Sequence, residues 1–238
     1  MTRELRPTSV PVRSFIARLR ERLRYGLLTQ ELLDRLARFG IVICPYYLVS
    51  EGMRTKLDES ALRSSITFAR LTPEQAPLVA GMPCKRLKLD YVHKQMSTAV
   101  CFGVFDGAEL IGYSWASFSA VNAPTTQAAL FELDARGAYL FDMYIARSHR
   151  GERLAPWLRY RSYEQVTGLG RDRIYSVTLA HNNSPRRFKQ RLGAVEIEKR
   201  LLIGLMSLAL WDVRVRALTA EPLPSPRSIL SKRSPTGA

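Results

Sequence analysis

The amino-acid sequence predicts a protein of the α/β (α+β) class with an N-terminal helical extension. From residue 66 onward, β-rich segments alternate with segments of helical spacing. Two β-rich segments flank Asp106-Gly107, which is one of the strongest short signals for a β-hairpin. Another, over 138–145, runs through a glycine-bearing turn into a segment with proline in its first helical turn. With 46% hydrophobic and 24% charged residues, the composition is that of a globular protein.

Residues 1–64 predict a basic, amphipathic helical extension. Apolar residues recur at helical spacing over 14–39, and Gly26 divides this stretch into two helices. A short strand interrupted at Pro45 follows. The apolar stripe packs on the rest of the chain or on a second subunit in a homodimer, or it makes peripheral contact with a membrane through 14–39. Acidic residues within the basic face favour packing over membrane contact.

Residues 65–216 predict a single α/β domain, and the Pro/Ser-rich tail over 217–238 predicts disorder. Within the domain, the pattern predicts strands over 66–71, 138–145, 173–180, 194–205 and 210–216, a hairpin over 97–118, and helices over 72–81, 154–166 and 184–192. No internal repeat is visible.

The net charge of +15 is unevenly distributed, since residues 146–200 hold 13 Lys/Arg against 5 Asp/Glu, or +8. A local positive field of this size attracts anions. The alternative is a solvated basic face without a partner, which would have the same number of charged residues. Nucleic-acid binding is disfavoured because no helix-turn-helix, zinc-finger or aromatic RNA-binding motif is present.

The cysteines and histidines predict no metal site. Three widely spaced cysteines suit buried thiols in a reducing compartment, and three histidines lack metal-ligand spacing. There is no secretory segment and no apolar run of bilayer length. The cytoplasm is therefore the expected location.

The turn after the strand carries Arg147, His149, Arg150, Gly151 and Arg153. The first N–H groups of a helix lack internal partners, and the helix dipole adds positive charge there. Such a helix end binds phosphate readily, and glycine lets the backbone approach an anion closely. The turn predicts a phosphate site, with an exposed basic loop that caps the helix as the alternative.

These motifs, in this order, resemble the GNAT superfamily of acyl-CoA-dependent N-acetyltransferases. The stretch "RGERLA" (150–155) matches the family's pyrophosphate loop, Q/R-x-x-G-x-G/A, at its first and last positions, with Gly151 as the frequent second-position glycine. Asn182, before a short helix and Leu192-Gly193, matches the family's second landmark. The resemblance implies a mixed, mostly antiparallel sheet that is splayed at its central strand and flanked by helices.

The resemblance also implies acetyl-CoA, or another acyl-CoA, as cosubstrate and no metal. The pantetheine arm of the acyl-CoA would pair with the backbone around Met143 and Ile145, as an added strand does. The other residues that the resemblance assigns to cofactor binding are Arg150, Gly151, Glu152, Arg153, Leu154, Ala155 and Asn182.

Two positions depart from the family's pattern. Arg153 stands where glycine is usual, so it either reaches a phosphate or blocks the backbone approach that glycine permits. Lys189 replaces the tyrosine that often protonates the leaving thiolate. Lysine serves as an acid only if burial or nearby cations bring its pKa well below ~10.4. The alternative is a solvated lysine without a catalytic role.

Asp142 and Tyr144 are the other candidate catalytic residues, because strand alternation puts both on one face. The acceptor amine must be neutral to attack, which calls for a base or a water relay. Asp142 is the best carboxylate for this role, with Glu132 second. A salt bridge between Asp142 and an arginine is the alternative.

Together these residues predict an N-acyltransferase that moves an acetyl or similar group from acyl-CoA to a primary amine by direct attack within a ternary complex. The acceptor is a small molecule, an amino sugar or a protein amine. A non-catalytic protein that binds acyl-CoA or a macromolecular partner is the alternative, and a basic nucleic-acid-binding protein is the third hypothesis.

Overall fold

A computed structural model describes residues 27–52, 63–83, 87–123, 129–205 and 209–219 of the chain. The helices are α1 (Leu27–Arg38), α2 (Ala76–Ala80), α3 (Leu89–Met96), α4 (Leu154–Gly168) and α5 (Asn183–Arg191), with 3-10 turns at Pro73–Gln75 and Arg147–His149. The strands are β1 (Ile41–Glu51), β2 (Ile66–Arg70), β3 (Ala99–Asp106), β4 (Glu109–Ser117), β5 (Ala120–Asn122), β6 (Ala129–Glu132), β7 (Gly137–Ile145), β8 (Arg173–Leu179), β9 (Val195–Leu205) and β10 (Ala209–Ala217). Each helix in these ranges is too short or too polar to span a bilayer. The predicted helix over 14–26 and the tail beyond 219 lie outside the described residues.

Eight strands form one mixed sheet in the order β10-β9-β1-β8-β7-β4-β3-β2, and β5 pairs with β6 apart from it. Neighbouring strands are antiparallel except β7 and β8, which are parallel and joined by α4. The predicted fold class, a mostly antiparallel sheet flanked by helices, is confirmed. The predicted hairpin is present as β3 and β4, with Gly107 at a φ of +59° in its turn.

Strands β7 and β8 separate soon after their pairing begins. Three pairs, from Gly137–Arg173 to Tyr139–Tyr175, hold them together. Beyond these pairs, β7 continues along β4, and no strand among the described residues pairs with its other edge. The splay implied at the central strand is therefore present, and it leaves backbone of β7 open to an added strand.

A β-bulge interrupts β7 within this open part. Phe141 lies opposite Trp115 and Tyr144 lies opposite Tyr113, so two residues of β7 face one of β4. Asp142, in the bulge, has a φ of +45°, a left-handed conformation that aspartate adopts more readily than most residues. The bulge shifts side-chain alternation, so the predicted common face for Asp142 and Tyr144 is wrong.

The buried apolar residues form two clusters. The larger includes residues of α2, α3 and α4, with Trp157, Leu158 and Val166 supplied by α4, and it takes side chains from both faces of β3, such as the neighbours Cys101 and Phe102. The other lies under the β5–β6 ribbon, where Leu130 and Phe131 meet side chains of β1, β8 and β9.

Strand β1 lies inside the sheet, between β9 and β8. Residues 41–51, which the sequence assigns to the extension, are thus flanked by strands of the predicted domain, while the division at residue 64 itself stays a prediction. Pro45 does not interrupt the strand. Because β8 ends at Leu179, opposite Tyr46, the missing N–H of Pro45 costs no ladder bond, and its carbonyl accepts from Ala180 N at 2.8 Å.

Gly112 is required where β4 passes the end of β7. A Cβ added there would lie 2.5 Å from Cδ1 of Ile145 and 2.9 Å from the carbonyl oxygen of Tyr144. We expect Gly112→Ala to lower the free energy of unfolding by about 1–3 kcal/mol in urea titrations. Gly168→Ala is the matched control, because its Cβ would meet nothing within 4 Å. Equal losses in the two variants would contradict this packing.

Candidate active site

A cavity of about 380 Å³ lies in the split between β7 and β8. Its volume falls within the range of about 300–1,000 Å³ typical of small-molecule sites. Apolar and aromatic walls come from Tyr91, Tyr139, Phe141, Met143, Val177 and Phe188. The charged side chains that line it are Asp142, Arg159 and Lys189.

The structure brings two of the three predicted catalytic residues to this cavity. Asp142 and Lys189 both line it, together with Met143. Tyr144 does not line it; the bulge places Tyr144 on the opposite face from Asp142, where its ring contacts Tyr113. Glu132, the second carboxylate considered as a base, is exposed on β6.

Lys189 is buried, so its description as a solvated lysine is wrong. Its side chain is 8% exposed. Nζ donates to Oγ of Ser176 at 2.7 Å, to Oγ1 of Thr178 at 2.6 Å and to the carbonyl of Val177 at 3.1 Å. These three bonds use all three donors of the ammonium group. Lys189 therefore borders the cavity as a fully hydrogen-bonded cation.

Behind Lys189 lies a buried carboxylate, Glu51, at the end of β1. Oε1 of Glu51 is 3.6 Å from Nζ of Lys189, and Oε2 is 3.0 Å from Nε of Arg159 on α4. Tyr163 donates to Oε2 at 2.6 Å, and Ser176 donates to Oε1. The hydroxyl of Ser176 thus accepts from the ammonium and donates to the carboxylate.

The pKa values of this pair follow from burial and from the partners. Desolvation lowers the pKa of Lys189 to about 8; Glu51 opposes this shift, and Arg159 adds to it. Desolvation would raise the pKa of Glu51, but the charges of Arg159 and Lys189 and the hydrogen bonds from Ser176 and Tyr163 together outweigh it and hold that pKa below its ordinary value. At neutral pH the cluster therefore contains one anion and two cations.

Sequence reasoning missed the partners that set this environment. It expected only burial or nearby cations to lower the pKa of Lys189, whereas the cation that does so, Arg159, lies on α4, 30 residues away in sequence. Glu51 falls in the region assigned to the extension. Its only signal was an acidic residue closing an apolar strand, which would be expensive to bury without partners.

The predicted phosphate loop lies between the open end of β7 and the N-terminus of α4. Arg150, Gly151, Glu152 and Arg153 are exposed. Gly151 has a φ of +95°, and a Cβ there would meet no atom within 4 Å. The side chains of Ile145 and Leu154 are buried in the core, so these residues offer only backbone to a ligand.

Arg153 adopts the backbone conformation that glycine usually supplies. It caps α4 with a φ of +58°, in the left-handed region. A non-glycine residue in that conformation costs about 1–2 kcal/mol. Arg153 therefore takes a left-handed conformation that glycine would adopt at lower cost, and its side chain is exposed.

The other charges near the loop are tied to the hairpin. Arg63 bonds the carboxylate of Glu152 at 2.7 Å and that of Asp106 at 3.1 Å. Nε2 of His149 lies 3.5 Å from Asp106.

The guanidinium of Arg150 lies back over the ring of Tyr144 and donates to the carbonyl of Ile145 at 3.2 Å. Asn182 caps α5 at the end of the turn after β8, and Ala155 is half-buried in the first turn of α4.

Part of the basic excess over 146–200 is paired with carboxylates from outside this range. The pairs are Arg159 with Glu51, Arg173 with Asp134 and Arg200 with Asp212. This pairing reduces the field that the sequence count suggests.

No family model matches the chain, and no curated protein sequence matches it. Solved structures do. A Drosophila protein is similar with 14% identity and a TM-score of 0.50 over 76% of this chain and 58% of that one. A putative acetyltransferase of the GNAT family from Novosphingobium aromaticivorans has 16% identity and a TM-score of 0.47 over 70% and 66%. AAC(6')-Iy, bound to the bisubstrate analogue CoA-S-monomethyl-acetylneamine, has 15% identity and a TM-score of 0.44 over 55% and 90%.

The chain has a GNAT-like fold. The mixed eight-stranded sheet carries this conclusion, with its split between two parallel strands. At such low identities the likeness concerns the fold, and the matched region spans little more than half of the Drosophila protein.

Lys189 should titrate well below the other lysines. In NMR titrations of protein labelled with ¹³Cε-lysine, we expect one signal with a pKa of about 8, absent from Lys189→Arg. In Glu51→Gln this pKa should fall further, because the carboxylate that favours the charged ammonium is gone. Titration of every lysine above pH 10 would contradict the buried cluster.

Proposed function

We propose that this protein is an N-acyltransferase that moves an acetyl or similar group from acyl-CoA to a primary amine within a ternary complex. The open edge of β7 supports the proposal most strongly. It leads at one end into the glycine-bearing loop at the start of α4, and from Leu140 to Met143 it borders the cavity. One extended ligand with a phosphate group at one end and a reactive group at the other matches this path.

The loop residues fit a pyrophosphate. Backbone N–H groups over 151–155 lie at a helix N-terminus, where the dipole favours anions. The open space at Gly151 allows close approach, Arg150 and Arg153 add positive charge, and Arg63 offsets the carboxylate of Glu152. Backbone of Met143 and Ile145 would hold the pantetheine arm, and Asn182, at the N-cap of α5, would be a further contact. Bound acyl-CoA supplies the acyl group as an activated thioester.

Asp142 and Lys189 carry the proton transfers in this proposal. Asp142, at the bulge, accepts a proton from the acceptor amine, directly or through water. Lys189 donates a proton to the departing thiolate. Because all three of its donors are bonded, it must release one of them. The bond to the carbonyl of Val177, at 3.1 Å, is the longest of the three.

Binding without turnover is the second candidate function. The saturated hydrogen bonds of Lys189 favour it, because an ammonium that keeps all three partners is a structural cation. In that case the loop and the open strand would hold acyl-CoA, and the cavity would hold only its acyl end.

Acetyl-CoA should bind through the loop. By isothermal titration at moderate salt, we expect micromolar affinity, or about −8 kcal/mol. Arg150→Ala should weaken it, and Gly151→Trp should weaken it by at least about tenfold, since the indole occupies the space that the phosphates need. Gly168→Trp is the control, because Gly168 also has open space but lies at the far end of α4. No binding by folded wild type would refute both candidate functions.

The pH dependence of turnover separates the two roles of Lys189. If its ammonium is the acid, kcat should fall above about pH 8 as Lys189 loses its proton. In Lys189→Arg, which keeps the charge but cannot donate a proton, kcat should drop by about 10²–10⁴ and lose this alkaline limb. If the alkaline limb is unchanged in Lys189→Arg, the group that loses its proton there is not Lys189. Tight acetyl-CoA binding without turnover, over the full range of acceptors, would support the second candidate function.

A further inference from the structure

Arg159 borders the cavity with two nitrogens, Nε and Nη1, that make no hydrogen bond. Its Nη2 donates to Oε1 of Glu51 at 3.3 Å, and its Nε lies 3.0 Å from Oε2. Nη1 is buried and finds no hydrogen-bond acceptor among the described residues. The side chain is only 4% exposed and still contributes to the cavity wall. A charged donor is therefore left over beside a space large enough for a ligand.

Leaving such a donor unbonded costs free energy, and folded proteins retain few of these groups. Because Arg159 lines the cavity, an acceptor for Nη1 can come from there, as water or as part of a ligand. A carboxylate is the acceptor that best fits a guanidinium, because the charges attract and the bond is shorter and stronger than a neutral one.

We propose that Nη1 of Arg159 binds a carboxylate of the substrate. This inference rests on the proposed acyl transfer, because it names the class of substrate that the same cavity takes. Two sources would present that chemistry: the carboxylate of an amino-acid acceptor, or the far end of a dicarboxylic acyl group such as succinyl.

The charges around the cavity suit a substrate with an amine and a carboxylate. Lys189 and Arg159 are the cations of the wall, Asp142 is its anion, and Glu51 lies behind the two cations. Asp142 then serves the amine while Arg159 holds the carboxylate. Of the acceptors compatible with acyl transfer, amino sugars and protein N-termini have no carboxylate beside the amine.

The aromatic part of the remaining wall, which lies beside the polar side chains of Gln95 and Asn122, suits an apolar substrate side chain. Aromatic rings of Tyr91, Phe141 and Phe188 border the cavity, and its volume of about 380 Å³ suits a small molecule. An amino acid with an aliphatic or aromatic side chain combines these features.

The first test compares acids with their amides on wild-type protein. Thiol release from acetyl-CoA would be followed with leucine and phenylalanine and with their carboxamides. Succinyl-CoA would then be compared with acetyl-CoA on a simple amine. We expect kcat/KM to favour the carboxylate by at least about 100-fold in one of the two comparisons, because a buried donor is left unpaired by the uncharged analogue. The first comparison identifies an amino-acid acceptor and the second a dicarboxylic acyl group; equal rates in both overturn the inference.

The second test uses Arg159→Lys, which keeps a cation beside Glu51 but lacks Nη1. The preference for the carboxylate should fall at least about tenfold. Arg161→Lys is the matched control. Arg161 lies on the same helix, is 37% exposed and pairs with Glu164, so its replacement should leave the preference unchanged. An undiminished preference in Arg159→Lys would place carboxylate recognition elsewhere.

A binding measurement without CoA separates failure of this inference from failure of the proposed function. In ¹⁵N-arginine-labelled protein, millimolar leucine or succinate should shift the Nε–Hε signal that is missing from Arg159→Lys. Leucinamide and succinamide should not. A carboxylate shift without acetyl-CoA binding leaves the carboxylate site standing and refutes acyl transfer. Acetyl-CoA binding without any carboxylate shift would refute the carboxylate site and leave the proposed acyl transfer standing.

Discussion

The buried carboxylate of Glu51 is the constraint on which the candidate site depends. Arg159, Lys189, Tyr163 and Ser176 surround it, and they come from α4, α5 and β8. An ionised group taken out of water is tolerated only when it is paired and hydrogen-bonded, and removing one partner of a buried pair typically costs about 3–5 kcal/mol. The four elements must therefore meet in one arrangement, which fixes the base of the split between β7 and β8.

The split between β7 and β8 is held together at one end and kept open at the other. At the paired end, Glu51 and its cations hold α4 and α5 against β1 and β8. At the open end, the bulge at Asp142 and the left-handed residues Gly151 and Arg153 direct the chain from strand to helix without closing the gap. These are strained conformations for aspartate and arginine, and strain of this kind concentrates where a ligand or reaction needs it.

Much of the fold was predictable because its signals are local. Turn residues at Asp106-Gly107, periodicity along β7 and the glycine-bearing turn before α4 each depend on neighbours in sequence. Contacts that join distant segments were not predictable in this way. Glu51 meets Arg159 across more than a hundred residues, so nothing near Lys189 in sequence reported its burial. The bulge was also missed, because a single inserted residue leaves the apolar pattern of β7 almost unchanged and yet moves Tyr144 to the other face.

A crystal structure of the protein with acetyl-CoA would test the central claim most directly. The claim predicts the pyrophosphate on the backbone amides over 151–155, the pantetheine arm along the open edge of β7, and the thioester in the cavity near Lys189. It also predicts that the contacts of Glu51 with Arg159 remain, since they shape the site before the ligand arrives. Acetyl-CoA bound elsewhere on the protein, with the split closed or filled by side chains, would contradict it.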